Sequence, residues 1–326
     1  KRLEPDSSVT MIDQSDTSSY GGCGIPYYGS GDVSESMQLR TTSFHMVRDE
    51  TFFDEVKGVD VQTRTKAVAI DREAKTVLVE RLDSGDREEL AYDKLVIATG
   101  GSPRALNLPG ENLEGVHYVS SLADAVAIRE AVTKGLVERA VVVGAGFIGL
   151  EMAEALSDMW GVETSVVEIT DQIMPRYVSP AMAVMARRHM EENGVGFHLA
   201  EKVVRLEGEG RVQRVVTDAS EIKADLVILA PGVVPNSGLA KEAGLHVHER
   251  GGILVDEHMR TSDPDVFAGG DCALIKNLAN DATFYLPMGS MANRQGRVIG
   301  TNLAGGRARF PGAVGSFVVK LFEKSL

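Results

Sequence analysis

Short runs of aliphatic and β-branched residues alternate along the chain with stretches whose apolar positions recur at helical spacing. The runs are VTMI from Val9, KLVIATG from Lys94, AVVVGAG from Ala140, TSVVE from Thr164 and DLVILAPG from Asp225. Strands of this kind lack polar alternation because both faces are covered, and their alternation with helices predicts βαβ units and parallel sheets. The stretch from Val59 to Leu90 differs: polar and apolar residues alternate around the turn-like Ser84-Gly85-Asp86, which predicts an antiparallel excursion between parallel strands. A helix is predicted from around Ser120, and a complete strand, glycine turn, helix, strand unit from Ala140 to Glu168. Beyond Pro235 the chain is rich in turn residues, with two short strand-like runs before further helix near Ala292. Met182 and Met185, at helical spacing, are predicted to face a core.

At 326 residues the chain exceeds the usual size of a single hydrophobic core, so two domains are expected. The predicted fold class is α/β: two Rossmann-like dinucleotide-binding domains, three-layered, with parallel sheets and an antiparallel insertion, the first domain interrupted by the second. Residues 1–118 form the first part of one domain, 119–248 the second domain, and 249–326 the return to the first.

Charge and cysteine content narrow the functions. With 34 basic against 47 acidic residues the net charge is -13, which repels nucleic acid and anionic lipid, so neither a nucleic-acid nor a membrane partner is expected. No apolar stretch approaches the roughly 18 residues of a membrane span. Two cysteines, Cys23 and Cys272, do not make a disulfide framework, and a cytoplasmic location is expected. None of the seven histidines has metal-ligand spacing, so no metal site is expected.

The strongest chemical signal is VVVGAGFIGLEMA, which sets Gly144, Gly146 and Gly149 in G-x-G-x-x-G spacing between an apolar strand and a helix. The first glycine permits the tight turn, the second lets a pyrophosphate approach the backbone, and the third lets helix and strand pack closely. The helix N-terminus offers free N–H groups to phosphate. Glu168 ends the next strand 19 residues after Gly149, where a carboxylate accepts hydrogen bonds from ribose hydroxyls and repels a 2′-phosphate. NADH is therefore expected in preference to NADPH.

Val9 to Asp13 reads like the second strand of another dinucleotide fold, with Asp13 at the ribose-binding position. The first strand and its glycine turn are expected to precede Lys1 in the natural protein. At this point the ordered segments SSYGGCGIPYYGSGD, KLVIATGGSPR, the glycine motif, TSDPDVFAGGDCA and LPMGSMANRQGR show that the chain resembles the pyridine nucleotide-disulfide oxidoreductases. One cysteine followed by G-I-P-Y-Y resembles their single-cysteine branch, which includes CoA-disulfide reductases, NADH oxidases and persulfide reductases. The two-cysteine branch carries C-x-x-x-x-C, and here the second position is Tyr28.

The resemblance implies FAD, NAD and CoA as ligands and Cys23 as the redox thiol. Without a neighbouring resolving thiol, Cys23 cycles through a mixed disulfide, a persulfide or a sulfenic acid. Pro26 fits the first turn of a helix, whose dipole favours a thiolate just ahead of it. Asp271 is implied to bind the flavin ribityl hydroxyls, with Gly270 allowing close backbone approach. Ala98, Thr99 and Gly100 form the turn beside the dinucleotide, and the helix starting near Ser290 to Ala292 is implied to point its N-terminus at the flavin pyrimidine. Phe147 and Glu151 correspond to an aromatic and a carboxylate at the nicotinamide, while Ile148 and Gly232 complete the implied cofactor contacts. Arg2 and Ser19 are implied at the substrate, although Gly22 stands where CoA-disulfide reductases carry asparagine. Cys272 is expected to be a packing residue.

The implied activity is transfer from NADH through FAD to a small-molecule disulfide, persulfide or polysulfide, with oxygen or peroxide as the alternative acceptor. A nucleotide-sensing flavoprotein with little turnover is the rival from another class. The relatives continue into a C-terminal dimerisation domain, so the full-length protein is expected to be a homodimer.

Overall fold

The computed structural model describes residues 1–325. Two compact units emerge, one formed by Lys1–Tyr20, Arg40–Ser102 and Val233–Ser316, the other by Gly21–Leu39, Pro103–Gly232 and the chain from Phe317.

The second unit is built on a five-stranded sheet, all parallel, in the order Val195–Leu199, Glu163–Glu168, Arg139–Val143, Leu226–Leu229 and Val116–Tyr118. Successive residues of each strand point to opposite faces. Ala140, Val142, Val166, Leu226 and Ile228 pack under the helices with Ile128, Leu150, Met152 and Met190. Val141, Val143, Val167, Val227 and Leu229 meet Val203, Leu206 and Val215 on the other side. Those last three belong to an antiparallel three-stranded sheet, Val203–Glu207, Arg214–Thr217 and Glu221–Lys223, which the hydrophobic pattern did not predict. Helix Leu122–Thr133 starts at a capping box formed by Ser121 and Asp124, and helix Pro180–Glu192 starts at Ser179, with proline in its first turn, so both follow the expected start rules.

In helix Pro180–Glu192 the core stripe is Ala183, Ala186 and Met190. The expectation that Met182 and Met185 are core is corrected: they are 41% and 69% exposed. Alanines at 3.6-residue periodicity let this helix lie close to the sheet, which turns the adjacent methionine face to solvent.

The first unit contains the predicted antiparallel excursion, Thr65–Asp71, Thr76–Arg81 and Arg87–Ala91. Its parallel pairings join Thr10–Ile12 to Asp60–Gln62, Leu95–Ile97 to Val266–Ala268, and Ile253–Leu254 to Ala273–Lys276. Ile97, Ile253, Val266, Ala268 and Cys272 share one core cluster with Ala240 and Leu245. Helix Gly289–Leu303 packs Ile299 against Met259, Phe267 and Phe310.

The units divide the chain differently from the expected cuts at 118 and 248. Gly21–Leu39 groups with the five-stranded sheet because its helix, Ile25–Ser30, packs against Leu122–Thr133 and Phe147–Glu154. Residues from Val233 group with the first unit because Asn236 bonds Thr99, and Ala240 and Leu245 enter its core.

Candidate functional site

In the second unit, strand Arg139–Val143 runs into Gly144, whose φ is +109°. A side chain at Gly144 would collide with the Ala230 carbonyl, and one at Gly149 would collide with the Gly144 carbonyl. Gly146 differs: nothing lies within 4 Å of the place where its Cβ would be. It is the N-cap of helix Phe147–Glu154 and makes no side-chain cap bond, so the free amides of the first turn face an open cradle that suits a pyrophosphate.

Glu168 ends its strand beside this turn and is 8% exposed. Its Oε2 accepts from the Ala145 N–H at 2.8 Å, and its Oε1 accepts from both the N–H and the hydroxyl of Thr170 at 2.9 Å. The Ala145 carbonyl in turn accepts from Met174 N–H at 2.9 Å. Both polar atoms of the turn's buried middle residue are thus held, the N–H by the acid and the carbonyl by the segment that follows it. Thr170 and Met174 escaped the sequence reading because no motif marks them.

Phe147 is half-buried, its ring 4.5 Å from that of Tyr177, and Ile148 packs against the helix-side core. Glu151 is half-buried, and burial pushes its carboxyl above the usual range, with the negative charge of Glu154 adding to the shift. Gly232 has φ +94° with open space at its Cβ position. Its carbonyl accepts from Arg104 N–H at 2.9 Å.

Cys23 is exposed. It lies in the tight turn Gly22–Gly24, which leads into helix Ile25–Ser30 with Pro26 in the first turn. A side chain at Gly24 would press on the tip of Leu39, at Cδ2. Tyr28, where a resolving cysteine would stand, is buried.

In the first unit, Cys272 is fully buried, and its Sγ donates to the carbonyls of Ile97 at 3.4 Å and Gly269 at 3.3 Å. Burial raises its thiol pKa. Ala98, Thr99 and Gly100 follow directly on strand Leu95–Ile97, which pairs with Val266–Ala268. Thr99 and Asn236 exchange hydrogen bonds at 2.5 and 2.9 Å, and Gly100 has φ +66° with nothing within 4 Å of its Cβ position. Gly270 has φ +78° and donates its N–H to buried Gln295 Oε1 at 2.6 Å.

Asp271 is half-buried, and burial alone raises its carboxyl. Among the described residues it has no hydrogen-bond or ion-pair partner. The Tyr285 hydroxyl is likewise buried and unpartnered. The orphaned Tyr285 hydroxyl and the half-buried Asp271 carboxylate next to Gly269 and Gly270 are groups that a hydroxyl-bearing chain would satisfy, so these residues fit a flavin dinucleotide. Ser290 and Ala292 lie in the first turn of helix Gly289–Leu303. Asp13 accepts from the N–H and hydroxyl of Ser15 at 2.8 and 2.6 Å. Arg2 is exposed and Ser19 half-buried.

The predicted residues therefore fall into two sets. Cys23, Gly144, Gly146, Phe147, Ile148, Gly149, Glu151, Glu168 and Gly232 lie in the second unit, and Arg2, Asp13, Ser19, Ala98, Thr99, Gly100, Gly270, Asp271, Ser290 and Ala292 in the first. Gln295 and Tyr285 join the latter set, and only their place within or beside LPMGSMANRQGR could have marked them. Among the described residues no group of histidine, cysteine and acidic side chains could hold a metal, and no helix is long and apolar enough to cross a membrane.

The model of a family described as pyridine nucleotide-disulphide oxidoreductase matches residues 3–296. The NAD(P)H coenzyme A polysulfide/persulfide reductase of Pyrococcus horikoshii is 34% identical over 323 residues, covering 99% of this chain and 70% of that protein. An NADH oxidase of Lactococcus lactis is 34% identical over 98% of this chain and 70% of its own length. The solved NAD-dependent persulfide reductase of A. fulgidus superposes with a TM-score of 0.96 at 43% identity over 99% of this chain. The chain spans 59% of that structure's length.

Proposed function

The chain belongs to the pyridine nucleotide-disulphide oxidoreductase family, and we propose that the whole protein is an FAD-dependent NADH oxidoreductase that reduces a disulfide, persulfide or polysulfide at Cys23. The observation that carries this reading is the pair of cysteines: Cys23 is exposed, whereas Cys272 is buried and bonded to two backbone carbonyls. With Tyr28 in place of a resolving thiol, the sulfur that pairs with Cys23 comes from the substrate. For a disulfide the balance is NADH, a proton and RSSR giving NAD⁺ and two RSH; for a persulfide it is NADH, a proton and RSSH giving NAD⁺, RSH and H₂S.

The second unit is the NAD-binding domain in this reading. Gly144, Gly146 and Gly149 bring the backbone to the pyrophosphate, with Ile148 and Gly232 lining the nucleotide. Glu168, held by Ala145 and Thr170, accepts from the adenosine ribose hydroxyls and disfavours a 2′-phosphate. Phe147 and Glu151 flank the nicotinamide. The first unit holds FAD: Asp13 at a ribose, Ala98, Thr99 and Gly100 beside the dinucleotide, Gly270 and Asp271 at the ribityl chain, and the helix bearing Ser290 and Ala292 stabilising negative charge. Bound FAD accepts hydride and passes electrons on, which no side chain can do. Arg2 and Ser19 serve a CoA-type substrate, and the full-length protein works as a homodimer.

NADH oxidases are also among the relatives, and reduction of oxygen or peroxide is the second reading. Anaerobic titration of the full-length holoenzyme with NADH, followed by CoA disulfide, separates the two. Flavin reduction reversed by the disulfide in wild type but not in Cys23→Ser is the expected result. Equal reoxidation of both proteins would overturn the thiol relay.

A further inference from the structure

Helix Ile25–Ser30 has six residues, too few to be stable without tertiary support. Its last-turn carbonyls are the groups a short helix leaves unsatisfied, and those of Tyr27, Tyr28 and Gly29 have partners. The Tyr27 carbonyl accepts from Ser30 Oγ at 2.9 Å and Val33 N–H at 3.0 Å. Tyr28 accepts from Arg129 Nη1 at 3.2 Å, and the same nitrogen donates to the Val33 carbonyl at 2.7 Å. Gly29 accepts from the indole Nε1 of Trp160 at 2.7 Å. The Arg129 guanidinium also lies 4.4 Å from the Tyr28 ring centroid. Gly31, which ends the helix with φ +95°, lies beside Trp160, and Gly29 lies beside Met152.

Two donors from distant parts of the sequence thus grip one end of the helix whose other end adjoins the Cys23 turn. Trp160 directly follows the helical segment that starts at the glycine turn, Phe147–Glu154 and its continuation Ala155–Met159. Arg129 projects from helix Leu122–Thr133. All of these residues belong to one compact unit.

Resting on the role proposed for Cys23, we propose that Trp160 and Arg129 are positioning residues for the thiol: they lock the helix end and so fix where the sulfur sits when it meets its substrate. Packing of Tyr28, Gly29 and the core beneath sustains the fold of this segment. The donated hydrogen bonds set its position.

The test uses full-length holoenzyme and follows two half-reactions by anaerobic stopped flow: flavin reduction by NADH, and reoxidation by CoA disulfide. Trp160→Phe keeps an aromatic ring and removes only the N–H. Arg129→Met removes the donors, and Arg129→Lys restores one with its charge. Reoxidation by saturating disulfide is expected to slow about tenfold in Trp160→Phe and Arg129→Met, with recovery in Arg129→Lys and reduction by NADH unchanged within about twofold. Combining Trp160→Phe with Arg129→Met should slow reoxidation by less than the product of the single effects, since both hold one helix.

Wild-type reoxidation in all variants would overturn the proposal, as would an equal fall of both half-reactions together with the melting temperature. Cys23→Ser keeps the two readings apart. If it reoxidises at the wild-type rate, the thiol relay itself fails; if it does not while the Trp160 and Arg129 variants do, only the positioning role fails.

Discussion

The Ala145 N–H donates to the Glu168 carboxylate at 2.8 Å, so the middle of the glycine turn and the acid at the next strand end are one hydrogen-bonded unit. Thr170 completes the grip through its own N–H and hydroxyl. The acid is therefore oriented before any nucleotide arrives, and less ordering cost is incurred on binding. Glu168→Gln should weaken NADH binding by about tenfold or more, because charge-assisted bonds to ribose hydroxyls become neutral ones. NADPH binding should weaken less, narrowing the preference. Isothermal titration with 5′-AMP and 2′,5′-ADP reads this apart from turnover.

The three glycines of the turn predict two different failures. At Gly149 a methyl group would run into the Gly144 carbonyl, and Gly149→Ala should cost stability on the order of 1–3 kcal/mol. At Gly146 the space is open, so Gly146→Ala should fold with an unchanged melting temperature yet bind NADH more weakly. Thermal unfolding and NADH titration of the two variants give opposite patterns if the turn cradles a pyrophosphate. Matching patterns would mean that Gly146 serves packing alone.

Much of this was legible in the chain because it is local. Buried strands spell themselves as aliphatic runs, and the glycine turn, its helix and Glu168 lie within one stretch of sequence. The excursion around Ser84 was equally plain, since one half-solvated face imposes alternation. What escaped depends on contacts between distant residues. Trp160 meets Gly29 across 131 positions and Arg129 meets Val33 across 96, so nothing near Cys23 announces which unit its helix joins. The core face of helix Pro180–Glu192 was misread because methionine outweighs alanine in any hydrophobic count, while close packing favours Ala183 and Ala186.

Burial holds the Glu151 carboxyl above its ordinary range, which makes its contribution to stability depend on pH. Where the folded value exceeds the unfolded one, there is no cost below the ordinary value, since the group is protonated in both states. The cost grows as pH rises through the interval up to the raised value and is complete above it. Glu151→Gln should therefore raise the melting temperature at about pH 7 and leave it unchanged at about pH 3. A gain of equal size at both values would mean that packing, and not ionisation, is what the substitution relieves.

The two cysteines should separate cleanly under thiol titration. Cys23 is exposed, whereas Cys272 has no accessible surface and points its sulfur at two backbone carbonyls, an arrangement that denies it both solvent and an attacking reagent. An alkylating reagent, whose thioether the reduced flavin cannot cleave, should modify one thiol per chain in the native NADH-reduced protein and two after denaturation. Mass spectrometry should place the native modification on Cys23. Protein blocked at that position should still be reduced by NADH at close to the native rate, since hydride transfer to FAD does not use the thiol, but should lose disulfide-dependent reoxidation. If blocked protein still turns over disulfide, electrons leave the flavin by another route, and the exposed thiol is a surface group without a part in the reaction.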